Sequence, residues 1–251
     1  MGESKIIVVA NQKGGVGKSS ICMSLANYLT RELKFRVGGI IDTDPQLSVF
    51  RRRISDKERT KGTPDTPAYE VSSFDLSNYA KIPDLAQDLR KTGMIYIFDT
   101  PGLLKHQGIV ALLAIADVII IPFNFDTLTL ASTIQFLVLW NNLKSSMKQN
   151  QSIVLETKLF FIPVMIDNRI GTATEVELWQ DVRKHYRQMG VITPPIGYYA
   201  DMKRCNTIML NQKQLKVVQD AYQTLVDNIY NPELQTDKMS DNDGENYNTE
   251  S

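Results

Sequence analysis

An apolar run, Lys5-Ile-Ile-Val-Val-Ala10, leads straight into Asn11-Gln12-Lys13-Gly14-Gly15-Val16-Gly17-Lys18-Ser19-Ser20, and a helical pattern follows from Lys18 to about Leu33. A strand, a glycine loop and a helix in that order form a phosphate cradle. Glycines let backbone N–H groups converge on phosphate oxygens, and the helix N-terminus adds its positive dipole. Lys18 is then the group that meets the β/γ-phosphates, and the Ser19 hydroxyl is the one that binds Mg²⁺. The common G-x-x-x-x-G-K-[ST] spacing fails by one residue, because Gln12 stands where glycine is needed, and an additional lysine stands at 13. The competing reading is a plain flexible glycine turn; the flanking strand and helix argue against it.

Downstream, apolar runs alternate with helical patterns. Strands are expected over Arg36–Ile41, Met94–Phe98, Val118–Pro122 and Leu159–Ile166, with a short one over Ile192–Ile196. Helices are expected near 105–116, 128–148, 174–189 and Gln214–Ile229. Strands apolar on nearly every residue are buried on both faces, so the alternation implies an α/β fold. Its sheet is a mostly parallel twisted one with helices on both faces. The segment 51–75 is polar, holds Pro64 and Pro67, and has no clear reading. No internal repeat appears.

Residues 232–251 hold six acids and one base, a charge of −5 that leaves residues 1–231 at +5 in a chain with 28 bases and 28 acids. That segment has few apolar residues and no helical or strand period, so a disordered acidic tail is expected after a domain spanning 1–231. A solubilising role is the plain reading of such a tail. With net charge zero, any nucleic-acid partner must be met by a local patch. Two distant cysteines, Cys22 and Cys205, give no disulfide framework and fit a reducing cytosol. No targeting signal is evident. The longest apolar stretch, 109–123, is broken by Asp117 and falls short of the ~20 residues of a membrane span. The chain therefore reads as soluble and cytoplasmic.

The deviant loop, Lys-Gly-Gly-Val-Gly-Lys-Ser, resembles that of the ParA/MinD group of P-loop ATPases, whose signature is K-G-G-x-G-K-[ST]. The resemblance continues in order over roughly residues 4–230. Ile41-Asp42-Thr43-Asp44-Pro45-Gln46 is similar to the family's D-x-D-P-Q switch I motif. Ile97-Phe98-Asp99-Thr100-Pro101-Gly102 is similar to its Walker B and switch II segment. Ala116-Asp117-Val118-Ile119-Ile120-Ile121-Pro122 resembles its A-D-x-x-[IV]-x-P strand. Ser19 and Ser20 stand where two threonines are commoner, which keeps both hydroxyls. Gly102 replaces a second proline.

The resemblance implies a three-layer, Rossmann-like P-loop NTPase fold and an ATP- and Mg²⁺-dependent switch. Gly14 to Ser20 would bind nucleotide, Ser19, Asp42 and Asp99 would hold the metal shell, and Asp44 would orient the attacking water. Lys13 would reach across a face-to-face homodimer that ATP holds together. Asn168 would read the adenine edge, although a polar surface residue is an equal reading there. Asp44-Pro45 also reads as a plain helix start, with Asp as N-cap and Pro at the first helical position. Asp-Thr-Pro-Gly is also good turn chemistry, but an acid directly after an apolar strand favours the metal-shell reading of Asp99. Cys22 reads as packing. His106 and His185 suggest no role.

The polar, acidic C-terminal segment is opposite to the amphipathic membrane anchor of MinD-type members. The cysteines do not lie near switch II, as an iron–sulfur relative would need. The few residues before the first strand leave no site-specific repressor domain. What the resemblance implies is partition or positioning of plasmid or mobile-element DNA, with non-specific DNA and a ParB-like or transfer-machinery protein as partners. The alternative is a nucleotide-gated positioning scaffold with little hydrolysis and no DNA binding. Candidate DNA-contacting clusters are Arg51, Arg52 and Arg53; Arg183, Lys184 and Arg187; and Lys203, Arg204, Lys213 and Lys216.

Overall fold

The computed structural model describes residues 4–102, 107–166, 173–197 and 200–230. In chain order its elements are β1 (Lys5–Val9), α1 (Lys18–Asn27), β2 (Val37–Asp42), α2 (Ser48–Arg59) and β3 (Glu70–Ser73). Then come α3 (Ile82–Lys91), β4 (Ile95–Asp99), α4 (Gln107–Ile115), β5 (Val118–Phe123) and α5 (Thr127–Gln151). The last are β6 (Lys158–Ile166), α6 (Ala173–Arg187), β7 (Val191–Ile192), β8 (Ile196–Gly197) and α7 (Gln212–Tyr230).

The strands pair in the order β3-β2-β4-β1-β5-β6-β7, with β8 beside the far end of β6, and every described pairing is parallel. This is the expected α/β architecture. The chain leaves β1 toward β2 on one side and crosses back from β4 to β5 on the other. The crevice outside the carboxyl ends of the strands at such a switch point is where open parallel sheets bind ligands.

The period of two along each strand divides the core into two layers. Ile7, Val9, Ile40, Ile97, Ile120 and Phe160 face α1 and α7, where Leu25, Leu29, Tyr222 and Leu225 are buried. Ile6, Val8, Phe98, Ile119, Ile121 and Phe161 face the other way, against Ile82 of α3, Leu112 and Leu113 of α4 and Phe136 and Trp140 of α5. Each such side chain contributes about 1.5–3 kcal/mol on burial.

The structure departs from the sequence expectations in three places. The strand expected over Ile192–Ile196 is two separate two-residue strands. Pro194 and Pro195 lie between them and lack the N–H groups a ladder needs. The polar segment 51–75 is not structureless: it carries most of α2, and β3 follows at its end. α3 was not expected, although Ile82, Leu85, Ala86 and Leu89 have helical spacing and Pro83 sits in its first turn. The helix from Lys18 also widens into one π-helical turn, Tyr28–Glu32, before it ends. Among the described residues no helix is long and apolar enough to cross a membrane.

Candidate functional site

Strand register assembles the site. Val9 of β1, Asp99 of β4 and Asp42 of β2 stand level on three neighbouring strands, at the carboxyl edge of the sheet. The strand ends are tied together there. The Thr43 N–H and hydroxyl both donate to Asp99 O (2.9 and 2.7 Å), and the Thr100 hydroxyl donates to Val9 O (2.8 Å). Asn11, fully buried, donates its side-chain amide to Pro122 O (2.8 Å) and Thr133 Oγ1 (3.0 Å). It therefore pins the stem of the glycine loop to β5 and α5. Sequence reasoning passed over Asn11; the available signal was a polar residue directly after a fully buried strand.

Gly15 (φ +75°) and Gly17 (φ +92°) occupy the left-handed region. Space is not the constraint, since a Cβ at Gly15 would meet nothing within 4 Å. The backbone turn itself calls for glycine. Lys18 is buried and folds back, its ammonium donating to Lys13 O at 2.9 Å. Burial lowers the Lys18 pKa, while Asp99 and then Asp44 oppose that shift. The Ser19 hydroxyl donates to Asp99 Oδ2 at 2.6 Å. Burial pushes the Asp99 carboxyl up to about 7, against the Ser19 hydrogen bond. Cys22 Sγ lies 3.7 Å from Asp99 Oδ1, and burial raises its thiol well above the usual range, so it stays neutral and packs.

The two switch I carboxylates have different tasks. Asp42 is fully buried; its Oδ2 accepts from Val49 N (2.9 Å) and Phe50 N (3.0 Å), and its Oδ1 from Asp44 N (3.1 Å). It thus satisfies the first amides of α2 from the end of β2. Three N–H donors leave about one of the four acceptor positions of a carboxylate open. Burial raises the Asp42 pKa, and the three backbone N–H groups act against that. Asp44 is half-exposed, and among the described residues its side chain accepts only from Gln46 N (2.8 Å). The helix-start reading of Asp44-Pro45 is therefore corrected. α2 begins at Ser48, after Leu47 at φ +50°, and Asp42 performs the capping.

Gly102 sits against the phosphate loop. A Cβ there would lie 3.0 Å from Gln12 O and 3.4 Å from Gly14 N. Its place in the motif is thus a close approach between switch II and the loop. A slot of about 60 Å³ opens beside Gly17 and Ile21, walled by Val164, Met165, Ile196 and Met202. Nothing in the sequence patterning pointed to this wall, whose residues come from β6, β8 and the segment before α7. Asn168 and His106 lie outside the described residues.

Ser19 and Asp99 fit a magnesium shell. Mg²⁺ keeps several waters and is bound through one or two carboxylates plus phosphates, not in an all-protein cage.

The fold also sorts the basic clusters. Arg53 is buried, its guanidinium 4.8 Å from the Tyr69 ring centre, so it cannot meet DNA. Arg52 Nε bonds Asp56 Oδ1 (3.1 Å), and Arg52 Nη2 donates to Arg204 O (3.3 Å). The fully buried Asp56 also accepts from Arg59 (2.6 Å) and, through Oδ2, from Thr207 N and Oγ1 (2.7 and 3.0 Å). The arginine cluster of α2 and the segment 204–207 are therefore joined. On α6, Arg183 stacks over Phe125 at 5.4 Å, while Lys184 and Arg187 are exposed.

The sequence model of the CobQ/CobB/MinD/ParA nucleotide binding domain matches residues 7–240. The chain belongs to this family. It is 29% identical over 133 residues to the maintenance of carboxysome distribution protein A of Gloeobacter kilaueensis. That match covers 52% of this chain and 54% of the relative, so it spans about half the relative's length. Apo McdA of Cyanothece has a similar fold, with a TM-score of 0.67 at 17% identity, covering 90% of this chain and 99% of that one. A plasmid partition protein of Borrelia burgdorferi bound to AMPPNP gives 0.62 at 20% identity, covering 90% and 99%. At such identities the shared property is the fold. In this nucleotide-binding domain the glycine loop, Lys18, Ser19 and Asp99 lie together at the carboxyl edge of the sheet.

Proposed function

We propose that this protein is an ATP- and Mg²⁺-dependent dimerising ATPase switch of the ParA type, acting in the cytoplasm in partition or positioning of plasmid or mobile-element DNA. The observation that carries the reading is the convergence of the glycine loop, Lys18, and the Ser19–Asp99 pair at one switch point, with a second lysine, Lys13, on the same loop. Asp42 and Asp44 flank it.

Phosphoryl transfer to water needs positioning and charge neutralisation more than covalent chemistry. The loop amides and Lys18 neutralise the phosphates once Lys18 leaves Lys13 O. Ser19 and Asp99 would hold Mg²⁺, with Asp42 acting through its remaining acceptor position; the ion would supply charge neutralisation at the β/γ-phosphates. Asp44, bound among the described residues only to Gln46 N, would orient water with its other carboxylate oxygen. Lys13, whose ammonium enters no ion pair among the described residues, reaches the nucleotide of a second copy. The apolar slot beside Gly17 takes the nucleobase.

The ATP dimer binds DNA without sequence preference through the joined surface of α2 and 203–216, and answers to a ParB-like or transfer-machinery protein. A second reading, a positioning switch for a protein cargo that does not use DNA, is favoured by the likeness to the carboxysome distribution protein. DNA binding with and without ATP over a salt series separates the two. The first reading expects ATP-dependent binding that weakens steeply with salt and is lost when Lys203, Arg204, Lys213 and Lys216 become Glu. ATP dimers with no DNA affinity at low salt overturn it in favour of the second.

A further inference from the structure

Charge is divided unevenly in this chain. α2 carries five bases and two acids, and residues 200–216 carry four bases and one acid, six net positive charges on two segments. The Arg52–Arg204 and Asp56–Thr207 bonds hold those segments together as one surface. Arg51, Lys203 and Arg204 are exposed beside those bonds, and Lys213 and Lys216 are exposed in the first turns of α7, which packs against residues 200–204. Against this stands the segment 232–251, with six acids and one base. It follows α7, whose first residues carry Lys213 and Lys216 and whose last is Tyr230.

We propose that the acidic segment 232–251 docks on this basic surface of its own chain and competes there with DNA. Reach permits it. α7 separates its two ends by about 28 Å at 1.5 Å per residue. The residues beyond Tyr230 span up to about 70 Å when extended. Tethering raises the effective concentration of the acids at the surface to the millimolar range, so contacts that are individually weak still compete. A DNA duplex, with a charge every ~1.7 Å along its axis, displaces the segment when enough bases engage at once. The device thus rejects isolated weak contacts and admits DNA to a dimer, which presents the surface twice. The competing ligand, though not the docking itself, rests on the DNA-binding reading above.

The test compares the full chain with a variant of equal length in which Glu233, Asp237, Asp241, Asp243, Glu245 and Glu250 become Gln or Asn. With a non-hydrolysable ATP analogue, the neutral variant should bind DNA roughly fivefold more tightly at about 50 mM salt, the gap closing by about 300 mM. Carbodiimide coupling, which joins carboxylates to amines in contact, should link the acidic segment of the unmodified chain to Lys203, Lys213 or Lys216, and less so as salt rises. Those links support the docking even if neither protein binds DNA, a result that would sink the DNA reading alone. Measurable but equal DNA affinity of the two proteins at low salt, or absence of links to those lysines, overturns the proposal.

Discussion

Asp99→Asn should stabilise the nucleotide-free protein, increasingly so as pH rises. The Asp99 carboxyl is buried at the carboxyl edge of β4 and held at a pKa of about 7, against an ordinary 3.8. The folded state therefore keeps its proton over a range in which the unfolded chain has lost it. Between pH 3.8 and about 7 the folded state binds more protons, and stability falls as pH rises; above 7 the full cost is present. A displacement from 3.8 to about 7 corresponds to roughly 4 kcal/mol. Only the smaller part of that has appeared at pH 5, so the advantage of the Asn variant should grow by roughly 2–3 kcal/mol between pH 5 and pH 8. Asn keeps an oxygen to accept from the Ser19 hydroxyl, and the groups remote from Asp99 titrate alike in both proteins. Urea unfolding at a series of pH values, without nucleotide or magnesium, reads the difference. A gap that stays constant to within about 0.5 kcal/mol would refute the reasoning, because it would mean that the carboxylate ionises as freely in the fold as in water. Mg²⁺ and ATP together should reverse the ranking at pH 8, since only the native carboxylate draws the cation.

Four further outcomes follow from the same geometry. Ligand at 100 times its dissociation constant stabilises by about 2.7 kcal/mol, and Lys18→Ala should lose most of that ATP-dependent stabilisation in a thermal-shift assay. Asp42→Ala should destabilise the protein by at least ~1–2 kcal/mol in urea, because two α2 amides lose their cap. Asp44→Ala should leave stability almost unchanged while lowering ATP turnover; a reversed pattern would return the capping role to Asp44. Gly102→Ala should raise the dissociation constant for ATP with little change in fold stability, measured by titration calorimetry, since its Cβ would crowd Gln12 O.

The sheet was legible because its strands are apolar on both faces, and the phosphate loop because lysine, glycines and hydroxyl are contiguous. α2 was not legible, for a physical reason: its buried residues include Arg53 and Asp56, so its inner face looks polar in sequence. The Arg52, Arg59 and Thr207 donors satisfy Asp56, and the Tyr69 ring lies over the Arg53 guanidinium. β3 is an edge strand with only Val71 buried, too weak a signal to read. α3 had a readable pattern in Ile82, Leu85, Ala86 and Leu89. At the site, the candidate carboxylates were legible as types but not as tasks. Asp42 caps amides seven and eight residues further along the chain, whereas a proline placed next to Asp44 points a local reading to the wrong acid.

The central claim is that nucleotide, held by the loop of one chain and by Lys13 of another, drives assembly. Light-scattering mass, measured with and without Mg²⁺ and a non-hydrolysable ATP analogue for the native chain and Lys13→Ala, tests it directly. The account predicts a native monomer that doubles in mass with nucleotide, and a Lys13→Ala protein that binds the analogue yet remains monomeric. A native mass indifferent to nucleotide, or a Lys13→Ala protein that dimerises as readily, would contradict it.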